Sequence, residues 1–242
     1  MFDFFDVVRQ LLDEAQTKNA ASLDQAAELI ADSLQHDGIL HTFGTGHSHL
    51  IAEEVFDRAG GLVPVNPILD PGTMLHVGAL SGTAFERMSG YADIILLRYR
   101  LEPQDVILIA SNSGRNAVPV EMAMAAKAKG LKVIALTALA ASQSQSSRHA
   151  SGKRLFELAD VVLDNCSPLG DAVMSVEGVP GKVSSTSTVI GAALVQALVH
   201  NVVAKLRARG IEPPILVSAN LGTGGSYGEQ NYVKYRDRVK HL

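Results

Sequence analysis

The chain has 242 residues, of which 47% are hydrophobic, enough for a sizeable core, and this excludes a disordered polypeptide. Its 21 basic and 25 acidic residues leave a formal net charge of −4, so no basic excess is present to neutralise a nucleic-acid backbone or an anionic membrane surface. The lone cysteine, Cys166, excludes an internal disulfide and a thiolate metal cluster, and it suits a reducing, cytoplasmic setting.

The opening MFDFFDVVRQLLDEAQ mixes acids with apolar residues and lacks the basic start and small-residue cleavage site of a signal peptide, so it is expected to stay attached. No run approaches the roughly 20 uninterrupted apolar residues of a membrane helix. Apolar residues three and four apart, at Phe4, Val7, Val8, Leu11 and Leu12 and then Leu23, Ala26, Ala27, Ile30 and Leu34, predict two helices. The polar stretch Thr17 to Ser22 is the predicted break, with Ser22 and Gln25 as a capping box, giving a helical hairpin or a kinked helix.

Beyond Gly38 the pattern turns to short apolar runs separated by helical segments, the signature of βαβ units feeding a parallel sheet. Five runs predict strands: Ile39 to Phe43, Leu62 to Asn66, Val106 to Ala110, Lys132 to Leu136 and Val161 to Asp164. Phe85, Met88, Ala92, Ile95, Leu96 and Tyr99 keep helical spacing between the second and third strands and read as helix, with the apolar IILL cluster open to the alternative of a buried strand. ALAASQSQSSRHASG reads as a polar loop, and the run from Val189 to Leu206 as a long helix apolar on more than one face. The glycine-rich GTGGSYGE near the end has no clear helix after it and reads as a flexible or interface segment. One compact domain over residues 36–242 with a helical extension over 1–35 is the simplest organisation.

Chemistry concentrates in three hydroxyl-rich turns. FGTGHSH follows the first strand, IASNSGRNAVP follows the third, and VSSTST precedes the long helix. Such turns bring backbone amides and neutral alcohols to a helix start, where negative charge is stabilised. In an open parallel sheet the ends of neighbouring strands share one crevice, so two such turns can converge on a phosphate ester. A dinucleotide fingerprint is excluded because His49 stands where G-x-G-x-x-G requires its third glycine, and no P-loop motif occurs. His47 and His49 are two residues apart at a helix start and do not share a face, so no metal site is expected. His41, His76 and His200 lie in apolar segments and read as core or interface histidines, and Cys166 as a packing residue.

With FGTGHS, SNSGRN and SSTST in these places, the chain from about Ala20 to Leu206 resembles the SIS (sugar isomerase) domain family of phosphosugar-binding proteins. EEVFDRAGG, GTAFER, SRHASGKRLFELADVVLDN and SPLGDA resemble a narrower, uncharacterised bacterial SIS group. The resemblance implies a three-layer α/β/α fold on a five-stranded parallel sheet of flavodoxin-like order. It also implies a homodimer or homotetramer with the site near the subunit interface. By position, Ser48, Ser111, Ser113 and Asn116 match the family's phosphate ligands, with Gly46 and Asn112 in the same turns. Ser184, Ser185 and Thr186 match the later hydroxyl segment.

The implied partner is a phosphorylated sugar, with no cofactor, nucleic acid or membrane. The implied activities are aldose-ketose isomerisation through an enediol, elimination by a lyase, etherase or deglycase using the same proton abstraction, and non-catalytic sensing. Either chemistry needs a carboxylate beside the sugar. Glu86 is the first candidate, because the family often places a glutamate in the helix between the second and third strands. Glu54, with its neighbour Glu53, is the alternative, and His149 or Lys153 is the candidate for the ring-opening proton.

Overall fold

The computed structural model describes residues 3–218 and 225–242. The chain opens on one helix, α1 (Phe4–Gln35), capped by the Asp3 side chain on the Asp6 amide. The predicted break is absent, and the polar stretch inside α1 has a physical role. Buried Asn19 receives the Asp164 amide at 2.7 Å and donates to the Asp164 carbonyl at 2.8 Å, so it stitches the helix to the edge of the sheet. A helix interior tolerates a polar residue when a distant backbone satisfies it.

Five strands follow: β1 (Leu40–Gly44), β2 (Val65–Ile68), β3 (Val106–Ala110), β4 (Lys132–Thr137) and β5 (Val161–Asp164). They form one parallel sheet in the order β2-β1-β3-β4-β5, the flavodoxin-like arrangement. The predicted second strand starts early, because Leu62 makes only an isolated antiparallel bridge to Ile215 before the parallel ladder begins at Val65.

The connections are α2 (His49–Glu54), α3 (Ala79–Glu86) and α4 (Tyr91–Leu96), then α5 (Ala117–Ala128) and α6 (Leu139–Gln143). After β5 comes an antiparallel hairpin, β6 (Ala172–Ser175) with β7 (Lys182–Ser185), then α7 (Ser187–Ala208) and α8 (Gly225–Tyr235). The hairpin occupies the place where hydroxyls alone suggested the approach to a helix. GTGGSYGE runs into α8 from Gly225, whereas its residues 222–224 lie outside the described ones.

The period of two along each strand divides the core into two layers. Leu40, Val106, Leu108, Ile134, Leu136 and Leu163 face α1, α2 and α7, while Phe43, Ile107, Ile109, Val133 and Ala135 face α4 and α5. Alanines 26, 27 and 31 let α1 lie close to α7, where Lys205 and Arg209 pair with Asp24, Glu28 and Asp32. Among the described residues α7 alone is long and apolar enough to cross a bilayer, and it lies against this core with Ile190, Leu194, Leu198 and Val202 buried.

The C-terminal segment is fastened beneath the sheet, at the end opposite the strand C-termini. Buried Asp105 accepts from the Ile39 and Glu102 amides and from His41 Nε2 at 3.1 Å, and Arg238 closes on it at 2.8 Å. His76 and His200, by contrast, are exposed.

Candidate functional site

At the C-terminal end of β1 the chain must turn inside its own following loop. A Cβ on Gly44 would stand 2.2 Å from the Ser48 carbonyl oxygen, so only glycine lets the GTGHS turn fold back this tightly. The turn continues through a 3-10 step, Gly46–Ser48, into α2. Burial lowers the pKa of the His49 imidazole against the opposing pull of Glu53, 3.3 Å away.

At the end of β3 the SNSGRN turn is held by its own side chains. The Gly114 amide donates to Ser111 Oγ at 3.2 Å, and Gly114 takes φ +60°, which a side chain would strain. Asn165 Nδ2, beyond β5, donates to Asn112 Oδ1 at 3.0 Å, and Thr137 Oγ1 donates to the Asn112 carbonyl. The turn is thereby braced from two neighbouring strands, and Asn116 begins α5, whose first amides point outward.

These turns open into one cleft of about 470 Å³, lined by Thr45, Gly46, His47, Ser48, Glu86, Ser111, Asn112, Ser113 and Asn116, with Gln145 and Pro168 to Asp171 on the far wall and Ser187 beside them. A tight recess at its floor is shared by Ser48, Ser111, Asn112, Asn165, Ser187 and Thr188. Hydroxyls from the two strand-end turns and the start of α7 thus meet at one place. Thr45 Oγ1 donates to Glu86 Oε1 at 2.9 Å, which ties the end of α3 to the first turn and aims the carboxylate at the cleft.

The sequence profile of the SIS domain matches residues 3–138, more than half the chain. The chain belongs to the SIS domain family. It is 42% identical to a UPF0309 protein of Halalkalibacterium halodurans over 239 residues, covering 99% of this chain and 96% of the relative. Among solved structures it is similar to a phosphoheptose isomerase from Neisseria gonorrhoeae, with TM-score 0.54 and 20% identity over 83% of this chain and 95% of the other. A phosphoheptose isomerase from Francisella tularensis gives TM-score 0.51 and 18% identity over 82% and 94%. At such identities the solved structures speak for the SIS fold.

Not every residue picked from the sequence reaches this SIS cleft. Glu54 turns away, accepting from Gln196 Nε2 at 2.9 Å and pairing with Arg58. His149 is engaged by Glu121 at 3.4 Å and Ser151, and Lys153 is exposed outside the lining. Ser184 and Ser185 stand exposed on β7, and buried Thr186 bonds Ser167 Oγ at 3.1 Å beneath the surface. The hydroxyl that lines the cleft from this segment is Ser187, one residue later.

Ser187 is set by Asp171, whose Oδ1 accepts from the Thr186 and Ser187 amides at 2.9 and 2.8 Å while Oδ2 takes the Ser187 hydroxyl at 2.6 Å. Thr45, His47, Gln145, Asp171 and Ser187 are lining residues that motif reading missed. SPLGDA did carry Asp171, but only the closed hairpin shows that its carboxylate caps α7.

Proposed function

We propose that this SIS domain binds the phosphate of a phosphorylated sugar in the cleft and isomerises the sugar between aldose and ketose through an enediol. The observation that carries the reading is the meeting of Ser48, Ser111, Ser113 and Ser187 in one cleft with Glu86, whose carboxylate Thr45 orients and no helix start engages. Neutral hydroxyls and amides suit a phosphate monoester, which already bears about −1.5 to −2 charge near neutral pH and must leave after turnover. The amides at the start of α5 add to that attraction.

In this reading Glu86 takes the proton from the carbon beside the carbonyl, and the electron pair moves into the enediol. The same carboxyl then returns the proton to the neighbouring carbon. His47, exposed on the lining, carries the proton between the two sugar oxygens in place of His149 and Lys153. Thr45 fixes the Glu86 rotamer so that the carboxylate is in place before the sugar arrives.

Leu80 and Leu97, 89% and 85% exposed, lie on the α3–α4 segment that carries Glu86. Apolar exposure of this kind fits a subunit contact beside the cleft. A thermal-shift panel of phosphorylated hexoses, heptoses and amino sugars against their unphosphorylated forms tests the binding step, since a ligand of the native state raises Tm by mass action. Stabilisation confined to phosphorylated members supports the reading, and no shift with any of them overturns it.

A further inference from the structure

Two arginines that bond cleft-lining residues form no ion pair among the described residues. Arg115 belongs to the SNSGRN turn, Arg148 to the loop between α6 and β5, and Arg87 follows Glu86 directly. The Arg148 amide donates to the Arg115 carbonyl at 2.8 Å, which fastens the two segments together.

Their guanidinium groups bond neutral oxygens that themselves line the cleft. Arg115 Nη1 donates to Gln145 Oε1, and Arg148 Nη1 to Asn116 Oδ1 at 3.0 Å. Arg115 Nε is buried with no partner. Among the described residues Arg87, Arg115 and Arg148 form no ion pair, in a chain whose acids outnumber its bases and whose other arginines pair with carboxylates. The carboxylates on that side are engaged, Glu86 by Thr45 and Glu121 by the Gly90 amide and His149. Burial first, then the charges of Arg115 and Arg87, hold the Arg148 guanidinium below its ordinary pKa against the pull of Glu86.

Gathering like charges costs free energy that an incoming anion would recover, and a guanidinium fork matches carboxylate and phosphate oxygens. The serine turns already seat one phosphate. We infer that Arg115 and Arg148 recognise a second anionic group, a carboxylate or a second phosphate, on the sugar phosphate held in the cleft. The inference rests on the sugar-phosphate reading above and narrows it to sugars bearing two anionic groups.

Titration calorimetry on the full chain with matched probes tests it: fructose 6-phosphate against fructose 1,6-bisphosphate, and glucose 6-phosphate against 6-phosphogluconate. The doubly anionic member of at least one pair is expected to bind about tenfold more tightly. In Arg115→Gln and in the more exposed Arg148→Gln that preference is expected to vanish, while affinity for the singly phosphorylated probe stays within about threefold. Equal affinities in the unaltered protein overturn the inference. So does a loss of singly phosphorylated binding in the variants, which would put the arginines on the first phosphate. If none of the four probes binds, the inference falls, and the sugar-phosphate reading falls with it only where the phosphosugars of the thermal-shift panel also give no shift.

Discussion

Thr45 Oγ1 lies 2.9 Å from Glu86 Oε1, so the residue that opens the first phosphate-type turn also orients the carboxylate at the end of α3. Binding turn and proposed base are joined by one hydrogen bond between segments 41 residues apart in sequence.

Thr45→Val keeps the shape and removes the donor. A hydrogen bond to a charged group contributes about 1.5–3 kcal/mol, so kcat is expected to fall at least about tenfold as the carboxylate loses its alignment. Phosphate affinity should change little, because the turn's amides and Ser48 stay. Steady-state kinetics check this, and a rise in KM with kcat unchanged would contradict it.

Asp171→Asn is expected to strengthen binding of inorganic phosphate. The carboxylate lines the cleft and occupies the first amides of α7, so it both repels a dianion and competes for the same donors. Removing one like charge near contact is worth about 1 kcal/mol in water, roughly fivefold in affinity. Asn tolerates the left-handed backbone at this position, φ +63°, so the turn should survive. Calorimetric titration reads the change, and weaker phosphate binding would show that Asp171 serves the site by ordering Ser187.

The Asp105 clamp should make stability depend on acid. Burial alone would push its carboxyl up, yet hydrogen bonds from His41 and from the Glu102 and Ile39 amides outweigh burial and hold it below the ordinary carboxylate value. A depressed native pKa contributes stability above the unfolded value, and that contribution is lost as the pH falls through the native one. Urea midpoints of the parent and Asp105→Asn should therefore differ at pH 7 and converge from about pH 4 downward. A gap that stays constant to pH 3 would contradict the assignment.

How much of this was legible in the sequence depended on whether the cause was local. β3 and β5 matched their apolar runs because such runs have few other places to go in a parallel sheet. FGTGHS and SNSGRN showed in sequence because a glycine-hydroxyl turn is a local object. The polar stretch inside α1 reads as a break in sequence because the contact that retains Asn19 there, with Asp164, spans 145 residues. The β6–β7 hairpin was missed because its strands are four residues each and largely exposed, leaving no alternation to read. Ser184 to Thr186 match the hydroxyl segment by position, whereas Ser187, one residue later, lines the cleft because the Asp171 cap turns its hydroxyl there, a tertiary cause that spacing does not show. Gln145, with Arg115 and Arg148 bonded to the lining, comes from loops whose approach depends on tertiary closure.

The sharpest measurement is solvent exchange at the carbon next to the sugar carbonyl, followed by NMR in deuterated water with whichever phosphosugar gives the largest thermal shift. With the unaltered protein, deuterium should enter at that carbon, and Glu86→Gln should bind the same ligand yet abolish the exchange. Undiminished exchange in Glu86→Gln would contradict the account of a carboxylate poised by Thr45 above a hydroxyl-lined phosphate seat.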